Sequence, residues 1–185
     1  IIKLCFLAIF FWRLESQVWE KMDKKYEKLL DSEMLEFVRK TESLYSSNAI
    51  EMTILEHRTR YNHMAKYFQS ARPPELLVED VFLSDVPVRI YSSKKPSSLV
   101  IIYLHGGGYV MGSSRSHRPL LEHLCLAFEG SVYSIDYSLA PEAPFPIALN
   151  EVLGVYGQIL SAGKSAKKVV IAGDSAGGGL ALASL

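Results

Sequence analysis

Val169-Val170-Ile171-Ala172-Gly173-Asp174-Ser175-Ala176-Gly177-Gly178-Gly179-Leu180-Ala181-Leu182 is the stretch on which the reading of the whole chain turns. A short apolar run, begun at Lys168, passes through Gly-x-Ser-x-Gly into residues that favour a helix, so strand, sharp turn and helix follow one another. A reactive serine needs that setting. The serine occupies a strained turn, and small residues two before and two after it let strand and helix pack closely. Ser175 then carries its hydroxyl above the sheet at a helix N-terminus, whose dipole favours developing negative charge.

Working outward, all 12 glycines lie beyond Leu99, whereas most of the 20 basic and 20 acidic residues lie before it. Glycine-poor, charged sequence reads as exposed amphipathic helices, and glycine-punctuated apolar sequence as buried strands joined by tight turns. Apolar residues recur at helical spacing from about Glu15 to Phe68, which predicts two or three helices ended by Arg72-Pro73-Pro74. Leu76–Leu83 and Val86–Tyr91 read as a hairpin turning at Ser84-Asp85. Beyond it, Leu99–Leu104, Ser131–Ile135 and Lys168–Ala172 are continuous apolar runs. Between them lie two amphipathic segments, one with Leu120, Leu121, Leu124 and Phe128 on a face, the other with Val152, Val155, Tyr156, Ile159 and Leu160. That alternation predicts an α/β domain with a mainly parallel sheet covered on both faces.

His105-Gly106-Gly107-Gly108 follows directly on the run Leu99–Leu104. Consecutive glycines let backbone approach a substrate closely, and preorganised N–H groups stabilise the alkoxide that forms during acyl transfer. Gly107, Gly108 and Ala176 are the expected donors of such an oxyanion hole. His105 is read as a structural residue fastening the loop, not as a base.

His105-Gly-Gly-Gly108 and Gly173-Asp174-Ser175-Ala176-Gly177-Gly178, with Asp136-Tyr-Ser-Leu-Ala-Pro-Glu142 and Pro144-Phe145-Pro146 between them, resemble the hormone-sensitive-lipase-like branch of the α/β-hydrolases over residues 76–185. The resemblance implies an α/β-hydrolase fold, here the N-terminal half of its sheet, and hydrolysis of small-molecule carboxylic esters through a serine acyl-enzyme without cofactor or metal. It further implies that residues 1–70 are a helical cap segment and residues 71–185 the hydrolase part. Two departures are Ser138, where the family usually has Arg, and Gly179, where it usually has Asn; they touch surface pairing and helix packing more than chemistry. Gly-Asp-Ser-x-Gly-Gly also occurs in trypsin-like proteases, but those are all-β and place their histidine and aspartate ahead of the serine.

A serine needs a histidine to take its proton and a carboxylate to orient that histidine, and in α/β-hydrolases both follow the serine in sequence. The ten residues after Ser175 contain neither. His57, His63, His117 and His123 are read as surface or helix-packing residues, Asp136 as a loop anchor, and Asp174 as pointing away from its neighbour. The expectation is therefore an N-terminal fragment that is insoluble or molten and inactive alone, with strand 168–172 as an uncovered edge. A non-catalytic, ligand-binding protein of the same fold is the alternative, and a short paralogue acting through dimer contacts a third.

Composition excludes several other classes. Basic and acidic residues cancel and no long Lys/Arg block occurs, which argues against nucleic acid as a partner. Cys5 and Cys125 lie far apart, so neither a disulfide scaffold nor a zinc site is expected. The apolar run Ile1–Trp12 is shorter than the roughly 20 residues a bilayer-spanning helix needs. It reads as a signal core, the remnant of an anchor or a buried stub, so membrane contact through residues 1–12 stands beside a favoured cytoplasmic location. Oligomeric state is not readable.

Overall fold

The computed structural model describes residues 32, 36, 52–67, 71–94, 96–163, 165 and 168–185. The chain divides into two compact units, Ile1–Thr53 and Ile54–Leu185. Of the first, Ser32, Glu36, Met52 and Thr53 are described, and Ser32 and Glu36 are helical and exposed. The apolar run 1–12 and the helices expected between residues 15 and 51 otherwise lie outside the described residues.

The second unit opens with α1 (Ile54–Tyr67), which carries Glu56 in its first turn and Lys66 in its last, matching the helix dipole. The hairpin follows as read: β1 (Leu76–Leu83) pairs antiparallel with β2 (Val86–Ser93). Ser84 and Asp85 both have positive φ, 48° and 63°, as a two-residue turn needs to match the right-handed twist of the strands it joins. Then come β3 (Val100–Leu104), α2 (Arg118–Phe128), β4 (Ser131–Ile135), α3 (Ile147–Ser161), β5 (Val169–Gly173) and α4 (Ala176–Ala183).

The five strands form one sheet in the order β1-β2-β4-β3-β5. β4, β3 and β5 are parallel, and β2 joins β4 antiparallel. Side chains of β3 alternate between two cores because successive residues of a strand point to opposite faces. Val100, Ile102 and Leu104 pack with Val152, Val155 and Ile159 of α3 and Leu180 and Ala181 of α4. Ile101 and Tyr103 pack with Leu121 and Cys125 of α2. Both faces are thus covered, as expected for buried parallel strands.

On α2, Leu120, Leu121 and Leu124 face the core as read, but Phe128 does not. Leu121, Glu122 and Cys125 are buried, while Phe128 is 52% exposed. Phe128 ends the helix just before Glu129 turns left-handed at φ 49°, so the chain bends toward β4 and leaves the ring outside. Glu122 is tolerated in the interior because Arg72 Nε lies 3.3 Å and Arg118 Nε 3.9 Å from its carboxylate. Burial pushes the Cys125 thiol pKa up, leaving it a small apolar core residue.

The crossovers fix where a ligand can enter. The helix that leaves β3 covers one face of the sheet and the helix that leaves β5 the other, although the two strands are neighbours with Leu104 opposite Gly173. Chains that diverge from adjacent strand ends open a crevice at the carboxyl edge of the sheet. The two glycine motifs of the sequence meet there.

Ile102 lies at the centre of the sheet at 0% exposure, whereas Val170 on β5 is 49% exposed. Ile102→Ala is expected to lower stability by about 3 kcal/mol through lost burial and the cavity left behind. Val170→Thr should change it by less than about 1 kcal/mol. Urea unfolding followed by circular dichroism checks both; equal losses would mean that β3 is not the centre of the packing.

Candidate active site

Ser175 sits between β5 and α4 with φ 51° and ψ −122°, a conformation that a residue with a side chain adopts only under constraint from its surroundings. The constraint is close packing. A Cβ on Gly177 would lie 2.0 Å from the Leu104 carbonyl oxygen, and one on Gly173 would lie 2.5 Å from the Gly177 backbone. The ends of β3, β5 and α4 are therefore pressed together at positions only glycine can fill. Ser175 is exposed, and its hydroxyl does not cap its own helix. The side chain is left facing solvent at the positive end of α4.

The His105–Gly108 segment leaves β3 beside it. Gly107 and Gly108 have φ of 122° and 62°. The Gly107 carbonyl accepts from the N–H groups of Val110 and Met111 at 3.1 and 3.0 Å, which folds the loop back on itself. Among the described residues, the N–H groups of Gly107, Gly108 and Ala176 meet no acceptor. The Gly106 N–H differs: it donates to Asp174 Oδ1 at 2.9 Å.

His105 is 1% exposed and stacks on Tyr137 with ring centroids 4.3 Å apart. Its Nδ1 is 2.9 Å from the Gly106 carbonyl, a distance that suits the tautomer with the proton on Nδ1. Tyr137 donates to the His105 carbonyl at 2.6 Å. Burial pushes the His105 pKa down to about 4 against the opposing pull of the Gly106 carbonyl, so the ring is neutral at pH 7. It contacts the loop itself and Tyr137.

Asp174 joins the two motifs. Besides Gly106, its Oδ1 accepts from the Tyr103 hydroxyl at 2.9 Å and lies 3.3 Å from His117 Nε2. Burial pushes the carboxyl pKa up, but the hydrogen bond and charge of His117, with Tyr103 and the Gly106 N–H, outweigh it and hold the group below its usual value. The carboxylate fits so closely that a Cβ on Gly106 would lie 2.2 Å from Asp174 Oδ2.

The other candidates fall into place around this centre. His117 is not a surface residue: its side chain is 10% exposed and rests on Asp174. The only sequence signal for it was its position at the entry to α2, the helix that leaves β3. His123 is exposed and bonds Pro119 along α2. His57 is half-buried and His63 exposed, both on α1. Asp136 holds a loop, accepting from the Ser114 hydroxyl at 2.8 Å. All five histidines of the sequence are described, and none is hydrogen-bonded to Ser175. Arg58, which the sequence reading missed, grips Glu142 through two hydrogen bonds of 2.9 and 2.7 Å and also donates to the Val110 and Ala140 carbonyls. It fastens α1 to the segment behind the glycine loop. No group of three metal-ligating side chains occurs among the described residues.

Comparison with known proteins finds relatives of the same fold. A family model described as the alpha/beta hydrolase fold matches residues 101–185. Human hormone-sensitive lipase is 44% identical over 88 residues, which is 45% of this chain and 8% of that protein. The acetyl esterase of Salmonella schwarzengrund is 32% identical over 138 residues, 70% of this chain and 43% of its own. An esterase from the bacterial hormone-sensitive lipase family superposes with a TM-score of 0.69 at 35% identity, covering 72% of this chain and 45% of that one. An esterase/lipase from an uncultured bacterium does so at 0.77 and 31%, covering 84% and 52%. The chain spans about half or less of the length of these proteins.

The buried histidine predicts acid sensitivity. An imidazole whose pKa is about 4 in the fold, against 6.5 ordinarily, contributes stability that is complete above pH 6.5 and is lost as pH falls toward 4. That shift corresponds to roughly 3 kcal/mol. Asp174, with a lowered pKa, adds a further loss at still lower pH. Urea midpoints measured between pH 7 and 4.5 should fall steeply in the wild type and less in His105→Asn; parallel slopes would mean that His105 protonates freely in the fold.

Proposed function

We propose that this chain, a hormone-sensitive-lipase-like α/β-hydrolase by motifs, relatives and fold, carries the nucleophile and oxyanion hole of an enzyme that cleaves small-molecule carboxylic esters. The observation that carries this reading is the strained, exposed Ser175 beside an oxyanion loop tied to the same turn. Its relatives are esterases, acetyl-hydrolases and lipases.

In the proposed reaction the Ser175 oxygen attacks the acyl carbon while a general base takes the hydroxyl proton. The carbonyl π electrons move onto oxygen, and the N–H groups of Gly107, Gly108 and Ala176 hold the resulting oxyanion. Collapse of the adduct expels the alcohol, which receives the proton, and leaves an acyl-serine. Water, deprotonated in turn, attacks that ester and releases the acid. His105, Gly106 and Asp174 keep the loop aimed, and Gly173 and Gly177 keep Ser175 in its turn. None of the five histidines meets Ser175, so the 185 residues by themselves bind and polarise an acyl group but lack the base that makes the serine a nucleophile. The same observation favours, as second reading, a ligand-binding role for the fold without catalysis.

Joining the 185 residues to the C-terminal half of an acetyl-hydrolase relative separates the two. Hydrolysis of p-nitrophenyl acetate and labelling by a fluorophosphonate are expected in the joined protein, with Ser175→Ala lowering kcat by more than about 10,000-fold. The 185 residues alone should label slowly. Rapid labelling of them at neutral pH would sink the claim that the base is missing, and a folded joined protein without Ser175-dependent labelling would favour the binding role.

A further inference from the structure

The Gly107 carbonyl and the Gly108 N–H belong to one peptide group, so a bond made to the first acts on the second. That carbonyl accepts from the N–H groups of Val110 at 3.1 Å and Met111 at 3.0 Å, which occupies both of its lone pairs. Each of these donors sits in a peptide whose own carbonyl is bonded. The Val110 carbonyl shares a peptide with the Met111 N–H and accepts from Arg58 Nε at 2.6 Å. The Tyr109 carbonyl shares a peptide with the Val110 N–H and accepts from the Ala140 N–H at 2.8 Å. Two runs of hydrogen-bonded peptides therefore converge on the Gly107–Gly108 unit, and one of them begins at a cation.

The surroundings of Arg58 hold that cation in place. Its side chain is 22% exposed. Nη1 and Nη2 grip the two oxygens of Glu142 at 2.9 and 2.7 Å, and Nη2 also donates to the Ala140 carbonyl at 2.9 Å. A planar guanidinium fork serves a carboxylate and two carbonyls at once, which an ammonium on a flexible stem does not. Ala140 is followed by Pro141, which has no N–H, so the bond to its carbonyl passes nothing on and acts as an anchor. Ala140 thus meets Arg58 through its carbonyl and Tyr109 through its N–H, which ties both runs to α1. Tyr109, at φ 63°, keeps a conformation that a residue with a side chain adopts only under such restraint.

We propose that Arg58 is a positioning residue for the oxyanion hole: through the Val110–Met111 peptide it orients and polarises the peptide that presents the Gly108 N–H. This rests on Gly108 being an oxyanion donor, as in the function proposed above. Accepting a hydrogen bond draws peptide electrons toward oxygen and leaves the N–H more positive, and successive bonds reinforce one another by roughly 10–30% each. A stronger donor matters most once charge has developed on the substrate oxygen. The contribution of Arg58 therefore falls on the transition state and not on the bound ester.

Glycine labelled with carbonyl 13C and 15N tests the relay without any ester hydrolysis. In the 185 residues it yields carbonyl-to-amide correlations only for the four Gly-Gly pairs, Gly106–Gly107, Gly107–Gly108, Gly177–Gly178 and Gly178–Gly179. Arg58→Gln should move the Gly107 carbonyl upfield together with the Gly108 amide, and leave the pairs of the serine turn in place. In the protein joined to the C-terminal half of a relative, the same variant should lower kcat about tenfold with KM within about twofold, because one donor is weakened and not removed. Arg58→Lys, which keeps the charge without the fork, should show a smaller shift of the same sign and recover part of kcat. An unmoved Gly107 carbonyl, or an unchanged kcat in an active joined protein, overturns the proposal. A joined wild type that hydrolyses nothing counts against the proposed function instead, and the carbonyl shift alone then decides for Arg58.

Discussion

The Asp174 carboxylate is the contact on which the arrangement at the carboxyl edge of the sheet depends. It is the residue before Ser175, and it accepts from the Gly106 N–H of the other motif. Two loops from different strands therefore share one partly buried anion, and neither can shift without breaking charge-assisted bonds. Tyr103 and His117 complete the ring of donors. A buried carboxylate is costly unless so satisfied, and once satisfied it fixes geometry more tightly than apolar packing would. Directing Gly106 inward also sorts the glycines, because it leaves the N–H groups of Gly107 and Gly108 to point elsewhere.

The carboxylate can do this only because the sheet brings its partners within reach. Leu104 and Gly173 are direct neighbours in the β3–β5 register, so whatever follows each strand starts side by side. A slip of one residue would exchange the faces of every β3 side chain, placing Ile101 and Tyr103 where Ile102 and Leu104 now pack. Full burial of β3 forbids that slip. The strain at Ser175, of order 1–3 kcal/mol for a side-chain residue at such angles, is sustained by the same packing through Gly173 and Gly177.

Much of this was legible in the sequence because it is written in local pattern. The apolar run 131–135 coincides with its strand, 99–104 begins one residue early, 168–172 is shifted by one residue at both ends, and Ser84-Asp85 forms the expected turn. The glycines two before and two after Ser175 are required for the steric reason that spacing suggested. Features made by the meeting of distant segments were not legible. His117 lies 57 positions before Asp174 in numbering, and nothing in its neighbourhood marks it as that carboxylate's partner. Phe128 fits a helical stripe by period alone, yet the left-handed Glu129 turns the chain and leaves it outside. Arg58 carries no local mark of its role; only the folding of α1 against the glycine loop brings it to Val110 and Ala140.

On the proposed reading, the placement of the donors divides the chemistry between two parts of the fold. Gly107, Gly108 and Ala176 are aimed, on that reading, by contacts from β3, β5 and the loops they carry, with Tyr137 beyond β4 and Arg58 of α1 bracing the glycine loop from behind. None involves a base. An oxyanion hole is effective to the degree that its donors are already in position before charge develops, since reorganising them during the reaction would cost what they contribute. A general base has the opposite requirement: it must exchange protons and face the substrate from the open side of the serine. Here the rigid half is built into the sheet edge, and Ser175 is exposed on the remaining side. On the proposed reading, electrostatic stabilisation belongs to the sheet edge, and proton transfer falls to a group that these contacts do not include.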